Sequence, residues 1–140
     1  GYEYHDLCYR MDSVQSYFKF NLDMLNTDLR HNFFREDRPI YTKVRDQMPA
    51  RYMDEASAIN SMVADGCIID GCVEHSVIFR GVKIAKGATV KNCVIMQDAR
   101  IDEGVYLENC ILDKQAHIQK DGRLIGPKSY PIVISKNMVI

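Results

Sequence analysis

Between residues 61 and 118 the apolar positions recur at intervals that suit neither face of a helix. An aliphatic residue stands at Val63, Ile68, Val73, Ile78, Ile84, Val90, Ile95, Ile101, Leu107, Leu112 and Ile118, in steps of 5 or 6. Two places before each stands a smaller residue: Ser61, Gly66, Gly71, Ser76, Val82, Ala88, Cys93, Ala99, Val105, Cys110 and Ala116. Residues i and i−2 share one face of a strand, whereas such steps drift around a helix of 3.6 residues per turn. Each unit therefore reads as a short strand with two inward side chains. Turn-prone pairs such as Asp65-Gly66, Asp70-Gly71, Arg80-Gly81, Lys86-Gly87 and Glu103-Gly104 separate the units. The phrase VKNCVI at Val90 returns as LENCIL at Leu107, 17 residues on. Three strands per lap, with one corner a residue shorter than the others, give that period. The pattern predicts a mainly β protein, a triangular prism of parallel strands built from hexapeptide repeats.

The same arithmetic predicts the stacking. Ile78, Ile95 and Leu112 should pile on one inner edge, and Ile84, Ile101 and Ile118 on a second, with rungs about 4.8 Å apart. Ser76, Cys93 and Cys110 should form an inward ladder of small side chains, fitted by volume to a narrow bore. Outward positions differ between the three sides. Met62, Val77, Val94 and Ile111 form an apolar side, Lys83, Arg100 and His117 a second, Cys72, Thr89 and Tyr106 a third. A stack of apolar side chains on an outer sheet suggests a subunit interface; the alternative is that the chain's own N-terminal segment covers it.

Ahead of the prism, DSVQSYFKFNLDMLNTDLRHNFF reads as one helix. Asp12 and Gln15 imitate a capping box, and Val14, Phe18, Leu22, Leu25 and Leu29 form its apolar face. The stretch REDRPIYTKVRDQMPARYMDE, with two prolines and alternating charge, reads as an extended linker. The expected organisation is thus a helical segment over 1–34, a linker over 35–57 and the β-helix over 58–140. The closing IGPKSYPIVISKNMVI should cap the open end of the solenoid. Composition adds exclusions. With 46% apolar residues, 26% charged residues and a net charge of −1, nothing marks a nucleic-acid or membrane partner. The five cysteines fit no zinc spacing, and reduced thiols in a cytoplasmic protein are the expectation.

Chemistry is sparse: there is no phosphate loop, GxSxG or HExxH. Arg35, Arg38, Lys43, Arg45 and Arg51 in the linker could cradle an effector phosphate or form a solvated face beside their acidic neighbours. His75 or His117 could serve as the general base of a trimeric hexapeptide-repeat acyltransferase, although neither adjoins a long loop in the reading above.

Several phrases together carry a resemblance. SVQSYFKFNLDML, RPIYTKVRDQMPARY and INSMVADGCIIDGCVEHSVIFRGVKI follow one another in the order found in bacterial glucose-1-phosphate adenylyltransferases (ADP-glucose pyrophosphorylases). The resemblance implies a left-handed parallel β-helix. It also implies a C-terminal fragment lacking the nucleotide-binding domain that makes ADP-glucose and pyrophosphate from ATP and glucose 1-phosphate. Catalytic members place a Mg²⁺-binding aspartate shortly before the helix. Here CYRMDSV puts Arg10 at that position, a cation where an oxygen ligand is required. That departure resembles the non-catalytic, regulatory-type subunit of some Gram-positive bacteria. It implies no cofactor in this chain, Mg²⁺ and ATP in a catalytic partner subunit, a homo- or hetero-oligomer, and a role in assembly and regulation of glycogen biosynthesis.

Overall fold

The computed structural model describes residues 1–140 apart from Asp6, Lys43 and Arg45. Its body is a prism of three parallel sheets, each of five strands. The first sheet stacks Arg51–Tyr52, Ile68–Ile69, Lys83–Ile84, Arg100–Ile101 and His117–Ile118. The second stacks Ser57–Ile59, Cys72–Glu74, Thr89–Lys91, Tyr106–Glu108 and Arg123–Ile125. The third stacks Met62–Val63, Val77–Ile78, Val94–Ile95, Cys110–Leu112 and Ile132–Ile134. The first strand thus enters at Arg51, inside the stretch read as linker.

The inward columns stack as the period demands. Ile78, Ile95 and Leu112 are paired rung to rung and are at most 1% exposed. Ile84, Ile101 and Ile118 form the second column, equally buried, and Val73, Val90 and Leu107 the third. Each such side chain contributes about 1.5–3 kcal/mol by leaving water, and the columns form one continuous core.

The corners explain the period. Between the second and third sheets the chain turns through a left-handed residue: Asn60 (φ 44°), His75 (φ 47°), Asn92 (φ 47°) and Asn109 (φ 52°). Asparagine tolerates this region better than other residues with a side chain. The carbonyl before each corner already accepts a backbone N–H from the next rung, and the small residue after the corner donates a second bond to it. Ser61 Oγ donates to the Ile59 carbonyl at 2.8 Å, Ser76 Oγ to Glu74 at 2.8 Å, Cys93 Sγ to Lys91 at 3.0 Å and Cys110 Sγ to Glu108 at 3.2 Å. The serine oxygens also accept from the next rung, from Ser76 N at 3.1 Å and Cys93 N at 3.0 Å. The ladder read as volume alone is therefore also a hydrogen-bonded column, in which hydroxyls and thiols find acceptors among carbonyls that the next rung already pairs.

One strand, with both its inward positions, differs from the expectation. Ile68 points outward at 37% exposure, and Ile69 takes the core position at 0%. Gly66 turns a corner at φ 75°, and Cys67 rather than Gly66 faces inward. The slip arises because the next corner is shortened: Ile69 and Val73 are both inward, separated only by Asp70, Gly71 and Cys72. That corner is close enough to the next rung that a Cβ on Gly71 would strike the Ala88 carbonyl and lie 2.9 Å from the Ala85 oxygen.

The N-terminal segment forms two helices where one was expected, α1 (Val14–Asp23) and α2 (Thr27–Phe33). Ser13, not Asp12, caps α1: Ser16 N donates to Ser13 Oγ at 3.1 Å and Ser13 N to Ser16 Oγ at 3.0 Å. Asn26 breaks the run because its side chain accepts from Asp28 N at 2.9 Å and Leu29 N at 3.2 Å, starting a new helix. Tyr9, Phe20 and Phe33 meet edge to face, Tyr9 and Phe20 with centroids 4.6 Å apart and Phe20 and Phe33 5.4 Å apart, which ties the two helices together. At the far end the chain adds a rung. Gly126 N donates to Glu108 O at 2.8 Å and Ile132 N to Asn109 O at 3.1 Å, so residues Pro127 to Pro131 are looped out between adjacent acceptors.

Two outcomes follow from this packing. Gly71→Ala should lower the unfolding free energy by about 2 kcal/mol, while Gly87→Asn, at an open corner of φ 71°, should cost less than about 0.5 kcal/mol; denaturant titration compares them. Burial pushes the thiols of Cys67 and Cys93 above their ordinary range. They are neutral when folded and ionise once unfolded above about pH 8.5, so stability should fall as pH rises beyond that point. Iodoacetamide on the native chain should modify the exposed Cys8 and Cys72 and spare Cys67, Cys93 and Cys110, as read by peptide mass.

Candidate functional site

The third sheet holds its outward column Met62, Val77, Val94, Ile111 and Val133 in register. α1 lies across the middle of it. Phe18, with Val14, Tyr17, Leu22, Phe79 and Met96, packs against Val94 and Ile111, which are 0% and 3% exposed. The expectation of a partner at these two residues is corrected: the chain's own helix occupies their outer side, because its apolar stripe and theirs have no better place to leave water. Val77 is half-buried and Met62 and Val133 are exposed. Met62 lies beside α2, its sulfur 4.0 Å from Arg30 Nη1. Asn21, buried within α1, donates from Nδ2 to the Tyr17 carbonyl at 2.9 Å, and burial raises the Tyr17 phenol above its ordinary range.

Just before α1, Arg10 Nε stands 3.1 Å from Asp12 Oδ2, both side chains exposed. The Asp12 carboxylate is thus engaged by the Arg10 cation. Among the described linker cations, Arg35 and Arg38 border one shallow cleft with Tyr4, and Arg51 lines a different one. The Arg38 guanidinium sits 6.0 Å from the centre of the Tyr4 ring. Arg35 forks onto Asp37 at 2.8 and 2.7 Å, which holds the Asp37 carboxyl below the usual range. Arg51 belongs to the first sheet, where it lines a trough with Lys83 and Arg100. Lys43 and Arg45 lie outside the described residues.

The two coil histidines are both engaged. His75 occupies an asparagine-type corner, with its Nδ1 2.8 Å from Asn60 Nδ2. One of its two ring nitrogens is thereby engaged. His75 does border a cleft shared with α1 and with Lys128, Ser129 and Pro131 of the looped-out segment, a neighbour that the sequence reading placed elsewhere. His117 Nε2 lies 2.9 Å from Asp102 Oδ2 on the adjacent rung.

The repeat register, the left-handed corners and the three-sheet prism agree with a match of residues 47–129 to the family described as GlmU-like, C-terminal hexapeptide. The chain belongs to this hexapeptide family.

Within the hexapeptide family the likeness extends past the prism. The glycogen biosynthesis protein GlgD of Bacillus subtilis (strain 168) is 38% identical over 138 residues, 99% of this chain and 40% of that protein. GlgD of Geobacillus stearothermophilus is 47% identical over 70 residues, 50% of this chain and 20% of its own length. The glucose-1-phosphate adenylyltransferase of the same organism is 38% identical over 79 residues, 56% of this chain and 20% of that enzyme. The chain therefore spans 40% or less of each of these relatives. The resemblance is upheld by both kinds of relative, and the GlgD match over 99% of the chain takes in the phrase SYFKFNLDML. No described helix is long and apolar enough to cross a membrane.

The helix-to-sheet contact can be tested directly. Val94→Lys places an unpaired charge beneath Phe18 and should cost about 3 kcal/mol, with faster hydrogen exchange across α1. Val77→Lys, half-buried on the same column, should leave α1 protected. Unaltered protection of α1 in the Val94 variant would show that the helix is held by something else.

Proposed function

We propose that this chain is the β-helix portion of a regulatory-type subunit in the glucose-1-phosphate adenylyltransferase system of glycogen biosynthesis. The observation that carries the reading is continuity: likeness to GlgD covers 99% of the chain, prism and helical segment alike. The structure gives that segment a physical reason to accompany the prism, since α1 is seated on Val94 and Ile111. Arg10, paired with Asp12, supports a non-catalytic role, because a guanidinium opposes a divalent cation where a carboxylate would bind one. In this reading Mg²⁺ and ATP belong to a catalytic partner subunit, which converts ATP and glucose 1-phosphate into ADP-glucose and pyrophosphate. The present chain contributes assembly and effector response in the cytoplasm. Arg38, with Lys43 and Arg45 beside it in sequence, is the candidate contact for an effector phosphate.

Co-expression with a catalytic glucose-1-phosphate adenylyltransferase tests the proposal. The chain should co-elute with the enzyme and change its response to phosphorylated effectors, and alone it should form no ADP-glucose. Separate elution with unaltered kinetics, or ADP-glucose made by the chain alone, would overturn it. Binding of acetyl-CoA by the chain would instead favour the acyltransferase reading.

A further inference from the structure

The three outer faces of the prism are not equally satisfied. The third is covered by α1. On the second, Lys91 pairs with Glu74 at 2.9 Å, Tyr106 donates to Glu108 at 2.9 Å, and Arg123 lies 4.7 Å from the centre of the Tyr106 ring. That face is closed by its own contacts. The first sheet is different. Its strand register lines up Arg51, Ile68, Lys83, Arg100 and His117 in one outward column. Two residues further on from each stand Met53, Asp70, Ala85, Asp102 and Gln119 in a second column, about 6.6 Å away by strand geometry. Among the described residues, Arg51, Lys83, Arg100 and Asp70 form no ion pair, while Asp102 meets His117. The two columns, of opposite sign, line a single shallow trough together with the half-exposed Ile68.

We propose that this face binds a second copy of the chain, two prisms lying side by side about a two-fold axis parallel to their length. The argument is charge self-complementarity. Such an axis, running between the columns, lays the basic column of one copy over the acidic column of the other while keeping rung opposite rung. Arg100 then faces Asp102 of the second copy. Arg51 and Lys83 bracket its Asp70 from one rung to either side, an offset of about 4.8 Å that long cationic side chains span. An axis in the face at right angles to the columns would set cation against cation, so the arrangement also selects orientation. Ile68, Ala85 and Met53 supply the apolar contact between the charges. The proposal stands independently of the glycogen reading, since it concerns this chain's contact with itself.

The test uses charge reversal and sedimentation velocity on the 140-residue chain. Wild type at about 100 µM should sediment as a dimer in low salt and weaken roughly tenfold or more in high salt. Lys83→Glu with Arg100→Glu should give a monomer, as should Asp70→Lys with Asp102→Lys. An equimolar mixture of these two variants should form a heterodimer, because one copy then carries two acidic columns and the other two basic ones. Combining all four substitutions in one chain swaps the columns and should restore the homodimer. A wild type that stays monomeric in low salt would overturn the proposal. So would reversed variants that remain dimeric, or a mixture that does not pair. Circular dichroism of each variant separates loss of pairing from loss of fold, and the mixture reads pairing in chains that do not self-associate.

Discussion

Stacking in register governs this molecule. A parallel rung can hydrogen-bond to the next only if the chain returns to the same face at the same height, and each return places one inward side chain on the one before. Ile78, Ile95 and Leu112 therefore share more than a preference for the interior: each forms the floor or ceiling of its neighbour. With sheets of only two or three residues per strand, little backbone is available to resist a slip, and the columns supply the resistance. The corners must then absorb every irregularity. They do so with left-handed residues, with Gly71 where the lap is shortened, and with Ser and Cys hydroxyls and thiols that answer the carbonyls turned inward.

The prism was legible because its constraint is one-dimensional. A residue at a given height must match the one a lap away, so periodicity alone revealed the sheets, the outward columns and the buried stacks. Legibility ended where a lap changes length. Nothing in the alternation of Ile68 and Ile69 says which of two adjacent isoleucines is inward, because the answer depends on the Asp70-Gly71 corner that follows. The helix break was hidden for a related reason: Asn26 is compatible with a helix interior until its side chain is free to cap Asp28 and Leu29. The fate of Val94 and Ile111 required knowing that two apolar stripes of one chain, α1 and the third sheet, lie within reach of each other.

The candidate site is legible in a different measure. Arg10 drew notice only through likeness to a family, and the structure adds that its guanidinium pairs with Asp12. The linker cations read as a group in sequence part company in space, Arg38 beside Tyr4 and Arg51 on the first sheet. His75 could be weighed in the sequence as a general base or as a plain exposed histidine, and the structure sets it at an asparagine-type corner with Nδ1 2.8 Å from Asn60 Nδ2. The three faces have diverged in kind: one joined to a helix, one closed by its own charges, one open, where among the described residues Arg51, Lys83, Arg100 and Asp70 form no ion pair. A solenoid permits this because outward residues are released from the matching that binds inward ones.

The looped-out residues Pro127 to Pro131 carry a consequence for how such a chain can change. The residues flanking them, Gly126 and Ile132, donate to the neighbouring acceptors Glu108 and Asn109, so the ladder passes beneath the loop uninterrupted. Length can accordingly be gained sideways without lengthening the prism or disturbing any stack. A corner of this sort is a balcony on a tower: what is built there alters the view, and the storeys below keep their spacing.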